Sequence, residues 1–140
     1  MIVLDTNVLS ETLRPSPADS VRRWMRAQPS TNLFTTTISE AEIFYGLALL
    51  PGGHRRTQLE RAVTAIFEED FSERILPFDS AAARVFAGIA AHRRGLGRPI
   101  SEFDAQIAAI AHSCGAAVAT RNVEDFADCG IQVIDPWASG

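Results

Sequence analysis

Ile2-Val3-Leu4-Asp5-Thr6-Asn7 begins with a continuous apolar run and closes with three residues that favour helix N-termini. A short β-branched and aliphatic run of this kind suits a strand covered on both faces, as in the middle of a parallel sheet. Asp, Thr and Asn side chains accept hydrogen bonds from the open N–H groups of a helix's first turn. A helix is therefore expected to start at this point and to stop before Pro15.

The same alternation continues along the chain. A second helix is expected over 17–27, with proline in its first turn, Asp19 near its positive end and Val21, Trp24 and Met25 as its apolar stripe. Leu33-Phe34-Thr35-Thr36 reads as a second strand. Ser39 is a cap for the helix after it, which carries Glu40, Glu42, Phe44, Tyr45, Leu47 and Leu50 up to Pro51. Beyond the Gly52-Gly53 turn, Leu59, Val63 and Ile66 mark an amphipathic helix over 55–67. Ile75-Leu76-Pro77-Phe78 is a third strand, and its proline suggests a sheet edge. Asp79 or Ser80 caps an alanine-rich helix ending at Gly95, and another helix runs from Phe103 to Cys114. Ala117-Val118-Ala119-Thr120 and Gln132-Val133-Ile134 complete the strands. Strands alternating with helices imply right-handed crossovers, so the expectation is one α/β domain over 1–140: a short parallel sheet of four or five strands with helices on both faces.

Composition narrows the chemistry. The chain has 140 residues, 46% hydrophobic and 21% charged, which excludes disordered, collagen-like and coiled-coil classes. Thirteen basic residues face seventeen acidic ones for a net charge of −4, and every basic residue is arginine. Without lysine there is no Walker-type phosphate lysine, no Schiff base and no lysine general base. Phosphoaspartyl proteins, which also place an aspartate at a strand end, rely on a lysine and are set aside for the same reason. An acidic chain binds a polyanion only with bound cations or clustered arginines. Cys114 and Cys129 have no CxxC or zinc spacing, and His54, His92 and His112 are scattered. The N-terminus lacks a basic signal region and no apolar run reaches membrane-spanning length, so a cytoplasmic protein with no membrane association is expected.

Sites in open parallel sheets lie outside the carboxyl ends of the strands. Asp5 ends the first strand, Glu40 and Glu42 open the helix after the second, and Asn122 and Asp125 follow the fourth. Asp104 shares a helical face with Ile107, Ala108 and Ala111, where an unpaired carboxylate costs several kcal/mol. Each residue also has a plainer explanation. Asp5 is a good N-cap, Glu40 and Glu42 suit a helix's first turn, Asp104 complements its own helix dipole, and Asp125 suits a surface turn. Periodicity alone does not choose between Glu40 and Glu42.

Taken in order, Leu4-Asp5-Thr6-Asn7, Glu42-Ile43-Phe44-Tyr45-Gly46, Asp104-Ala105-Gln106-Ile107-Ala108-Ala109 and Thr120-Arg121-Asn122-Val123-Glu124-Asp125-Phe126 closely resemble PIN-domain ribonucleases of the VapC/FitB branch of toxin–antitoxin systems. Leu76-Pro77-Phe78-Asp79, Gly97-Arg98-Pro99-Ile100-Ser101 and Asp135-Pro136-Trp137 extend the likeness over nearly the whole chain. The resemblance implies an endoribonuclease with an acidic pocket for Mg²⁺ or Mn²⁺. It also implies a VapB-like antitoxin, a homodimer or larger toxin–antitoxin assembly, and promoter DNA bound only through the antitoxin. Asp5, Glu42 and Asp104 fall on the family's three most constant acids, both catalytic and metal-binding. Asn122 falls on the fourth ligand position, with Asp125 as the alternative. Thr6 and Thr120 fall on hydroxyls that support the acids, and Asn7 on a supporting amide. The other function class compatible with the sequence is a catalytically silent PIN scaffold that binds RNA or a partner.

Such a cluster has a physical rationale. Hard divalent cations take oxygen ligands, and Mg²⁺ keeps several waters beside one or two carboxylates. A metal next to a phosphodiester activates water and neutralises developing charge, so no side-chain nucleophile is required. Asp5→Asn is expected to abolish cleavage while leaving the metal-free fold at least as stable as wild type. Arg98, a few residues before Asp104, and Arg121, beside Asn122, are the expected RNA-contacting arginines. The run Arg93-Arg94 alternatively complements the end of a helix. Trp24, Phe44 and Tyr45 are assigned to core or interface, and the helices over 39–67 offer an apolar groove for an antitoxin segment.

Overall fold

The computed structural model describes residues 1–138. Five strands form one parallel sheet: β1 (Ile2–Leu4), β2 (Leu33–Thr36), β3 (Ile75–Leu76), β4 (Ala117–Ala119) and β5 (Val133–Ile134), in the spatial order β3-β2-β1-β4-β5. Ile2 pairs with both Leu33 and Ala117, so β1 is central. β3 lies at an edge, where Pro77 just beyond it disturbs no ladder. The chain builds outward from β1 to β3, then crosses to the other side of β1 for β4 and β5. The strand order thus reverses between β1 and β4, and the crevice outside their carboxyl ends is where this architecture places ligands.

Among the described residues the α-helices are α1 (Thr6–Thr12), α2 (Asp19–Ala27), α3 (Thr37–Ala48), α4 (His54–Ala65), α5 (Ser80–Gly95) and α6 (Glu102–Ser113). Side chains alternate across a strand, and β1 shows this directly. Val3 joins a core built with Val118, Phe126, Ala82 and Ile89 of α5 and Ile107 to Ala111 of α6. Ile2 and Leu4 join a second core with Val8 and Leu9 of α1, Trp24 of α2, Leu47 of α3 and Val63 of α4. Helix α6 is buried at Ala105 and from Ile107 through Ala111, which its run of small residues permits. Phe44 packs against Phe67 at a centroid separation of 5.9 Å, whereas Tyr45 is exposed.

Three local expectations are corrected, and one residue is more buried than its place implies. The cap of α3 is Thr36, whose extended backbone lets its hydroxyl accept from the Ser39 N–H; Ser39 itself is buried in the first turn. Helix α2 starts at Asp19, leaving Pro17 outside it. The segment after α4 widens into a π turn over Ile66–Asp70, closed by Phe71 N–H donating to the Ile66 carbonyl at 2.9 Å, which keeps both Phe67 and Phe71 in the core. Arg93 lies in the last turn of α5, as expected, and is also buried, donating to the carbonyls of Arg98, Asp125 and Ala127. That guanidinium ties the end of α5 to the loop that follows β4.

Candidate metal centre

A hollow of about 530 Å³ opens at the reversal of strand order, lined by Asp5, Thr6, Asn7, Ser10, Glu11, Arg14, Glu42, Asp104, Arg121, Asn122 and Trp137. It gathers Asp5, Glu42, Asp104 and Asn122 from four separate stretches of the chain. Asp125 and Arg98 do not line it. Asp125 is exposed on the short 3₁₀ turn Val123–Phe126, although its charge reaches Asp104. Arg98 forms an exposed ion pair with Asp128.

Asp5 is buried at the junction of β1 and α1. Its backbone N–H extends the sheet by donating to Ala119 O at 2.9 Å, and its carbonyl accepts from Val8 N–H at 3.0 Å. One carboxylate oxygen accepts from Thr6 N–H at 2.8 Å. The other accepts from the Thr120 hydroxyl at 2.8 Å and the Asn7 amide at 3.2 Å. Thr120 in turn accepts from Asn7 Nδ2 and from Asn122 N–H, so one buried hydroxyl makes one donation and two acceptances. The Asn7 carbonyl accepts from Arg121 N–H at 3.2 Å, which fixes which way its amide faces.

Glu42 is held across the hollow by a single hydroxyl. Thr6 Oγ1 lies 2.8 Å from Glu42 Oε1 and 2.9 Å from Ser39 Oγ. A hydroxyl has one proton, so Thr6 donates to the carboxylate and accepts from Ser39. This relay selects Glu42 over Glu40, a choice periodicity left open. Asp104 lies in the first turn of α6, whose cap Ser101 accepts from the Asp104 N–H at 3.2 Å.

Burial is the first cause of every proton-affinity shift here. Asp5 is pushed from 3.8 up to about 6 by burial, against the lowering effect of its Thr120 and Thr6 hydrogen bonds, with Asp104 and Glu42 adding repulsion. Burial raises Glu42, which Thr6 offsets and Asp104 reinforces. Asp104 is raised by burial and by Asp125, and lowered by Ser101 and the buried Arg93. Two like charges 4 Å apart repel by about 4 kcal/mol at an effective dielectric near 20. Among the described residues no three His, Cys, Asp or Glu side chains already close around a single point. The donor set is all hard oxygen, which suits Mg²⁺ or Mn²⁺ and not a soft metal.

An asparagine at position 5 would turn its NH₂ toward one of the donors that Asp5 accepts from, a cost set against the relief of removing a buried charge. Glu11, Ser10, Arg14 and Trp137 line the hollow unannounced. Asn7, Ser10, Glu11 and Arg14 recur at helical spacing, a stripe legible from the sequence. Glu11 is buried and its carboxylate accepts from Ala18 N–H at 2.9 Å, which fastens the start of α2. Trp137 belongs to the Asp135-Pro136-Trp137 stretch of the resemblance but carried no sign of lining the site; the Arg121 guanidinium lies 5.1 Å above its ring.

The fold and this hollow define a PIN domain, and the PIN domain family matches residues 2–130. The chain belongs to that family. Within it the VapC ribonuclease Y4jK of Sinorhizobium fredii is 39% identical over 137 residues, 98% of each chain. Toxin FitB of Neisseria gonorrhoeae is 36% identical over 137 residues, covering 98% of this chain and 99% of its own. The crystal structure of FitAcB from Neisseria gonorrhoeae superposes with a TM-score of 0.92 at 36% identity over 99% of both chains. The chain's homologues are thus toxins of the VapC/FitB branch.

Proposed function

We propose that this protein is a metal-dependent endoribonuclease and the toxin of a VapBC-type pair. The observation that carries the reading is the meeting of Asp5, Glu42 and Asp104 in one hollow, in a chain akin to VapC ribonucleases. Asp5, Glu42 and Asp104 would hold Mg²⁺ or Mn²⁺. Asn122 rather than Asp125 would complete the set, since it lines the hollow. When bound, the cation supplies Lewis acidity beside the scissile phosphate and offsets its charge during in-line displacement.

The chain's own residues do the rest. Thr120, Asn7 and Thr6 N–H hold both oxygens of the Asp5 carboxylate in one orientation. The Thr6–Ser39 relay does the same for one oxygen of Glu42. Asn122 offers a neutral carbonyl oxygen and so adds no charge against the phosphate. Arg121, exposed on the rim and backed by Trp137, faces the incoming strand with a fixed positive charge. The partner is a small cognate antitoxin, as the FitAcB likeness supports, in a toxin–antitoxin assembly that reaches promoter DNA through the antitoxin.

The test is cleavage of structured RNA by purified protein with Mg²⁺ or Mn²⁺. Cleavage suppressed by EDTA and by Asp104→Asn supports the reading. No metal-dependent cleavage, with RNA binding retained, makes the protein a silent scaffold instead.

A further inference from the structure

A second hollow of about 590 Å³ adjoins the acidic one and shares Ser10 and Arg14 with it; its other walls are Leu13, Pro15, Arg55, Gln58 and Leu59. The charge reverses between the two. The first holds four acids, Asp5, Glu11, Glu42 and Asp104, against the two arginines Arg14 and Arg121 on its walls. The second holds two arginines and no carboxylate. Arg14 stands between them with its side chain 66% exposed, reaching Glu11 only at 3.5 Å. Arg55 is exposed near the start of α4 and has no ion-pair partner among the described residues.

The arrangement has an electrostatic logic. A polyanion of several phosphates is repelled by an acidic hollow everywhere except at the bound cation, and a chain of net charge −4 offers little general attraction. A strand with one phosphate in the first hollow must carry its neighbouring phosphates out of it. The route over Arg14 leads onto two guanidiniums, which pair well with phosphate oxygens. Leu13, Pro15 and Leu59 give the same wall apolar surface for sugars and base faces.

Resting on the nuclease reading, we infer that the Arg14–Arg55 hollow is a substrate subsite, which grips the phosphates of single-stranded RNA flanking the one in the acidic hollow. It is sequence-tolerant, because it reads backbone charge and not base edges. Arg98, tied to Asp128 outside both hollows, takes no part in it.

The experiment measures binding of a fluorescein-labelled single-stranded oligouridylate against salt concentration. All proteins carry Asp104→Asn, which stops the strand being cut and removes one charge from the acidic hollow. Removing one arginine that neutralises a phosphate makes the log–log salt slope shallower by about 0.7 for a single strand. Arg14→Ala and Arg55→Ala are each expected to show that change, and the double variant about twice it. Lysine at both positions restores the slope. Arg84→Ala, an exposed arginine on α5 outside both hollows, leaves it unchanged. An unchanged slope in the double variant, an equal change in Arg84→Ala, or no oligouridylate binding at all overturns the inference. So does a double variant that keeps its slope but loses a co-encoded antitoxin, which makes the hollow a protein-docking surface. If metal-dependent cleavage by the wild type persists beside an unchanged slope, only this inference falls; absent cleavage removes the nuclease reading itself.

Discussion

The two sides of the acidic hollow are built differently. On the sheet side, Asp5 is buried and its carboxylate accepts three hydrogen bonds from a network closed by Thr120 and Asn7. On the helix side, Glu42 and Asp104 are only half-buried, and one hydroxyl bond holds Glu42. The difference assigns the roles. In the proposed metal centre, Asp5 would be a fixed anchor whose position the sheet dictates, and Glu42 and Asp104 would be the arms that turn toward a cation. It also accords with burial raising all three, with Asp5, the most deeply buried, pushed up to about 6.

The contrast can be broken most forcefully by removing an arm. Asp104→Asn is expected to lower metal-dependent cleavage by more than about a hundredfold, since losing even a residue that supports a metal ligand costs about ten- to a hundredfold. The metal-free variant should melt no lower than wild type at pH 7.5, because a repelling charge is gone. A lower melting temperature would show that Asp104 is structural.

The anchor responds in the opposite sense. Thr120→Val removes a hydroxyl that serves three partners, and is expected to cost about 1–3 kcal/mol in urea unfolding. Mn²⁺ affinity should fall by about ten- to a hundredfold with it. Thr35 provides the comparison: equally buried, it has no hydrogen-bond partner for its hydroxyl among the described residues. Thr35→Val is expected to be neutral or stabilising by about 1 kcal/mol. Equal losses for the two threonines would refute the anchor.

The pH dependence sharpens the same distinction. Folding raises the Asp5 pKa from 3.8 to about 6, so between those values the folded chain binds more protons than the unfolded one. The stability of the metal-free protein therefore falls as pH rises from about 4 to about 6. Asp5 alone accounts for about 2 kcal/mol of that fall. Glu42 and Asp104 act in the same direction. Urea unfolding with EDTA at pH 4.5 and pH 7.5 reads it directly. Saturating Mn²⁺ should restore stability at the higher pH, by about 2.7 kcal/mol at a hundred times its Kd. The smallest effect is expected at Arg98→Ala, which removes an exposed ion pair worth about 0–1 kcal/mol and leaves the salt dependence of RNA binding unchanged.

Much of this was legible in the sequence, for reasons that differ between residues. Ile2-Val3-Leu4 reads as a central strand because a strand covered on both faces must be continuously apolar, and Pro77 marks the edge because it cannot donate to a ladder. Asp5 is recognisable because a strand end and a helix start coincide there. Periodicity does not separate Glu42 from Glu40, and only the family resemblance picks Glu42, because the Thr6 hydroxyl that binds it comes from another element. Arg93 lies at a helix end as the local rule expects, but its burial was not legible, since it rests on the Arg98 carbonyl and on two carbonyls from the distant loop after β4. Trp137 was invisible as a wall of the hollow, because only the return of the chain past β5 brings it there.

Manganese anomalous diffraction on crystals soaked with MnCl₂ tests the central claim most directly. The account predicts one ordered peak in the hollow, with carboxylate oxygens of Asp5, Glu42 and Asp104 all turned toward it and the two helix-borne acids moved further than Asp5. A peak bound elsewhere, or one that Asp104→Asn leaves unaltered, would contradict it.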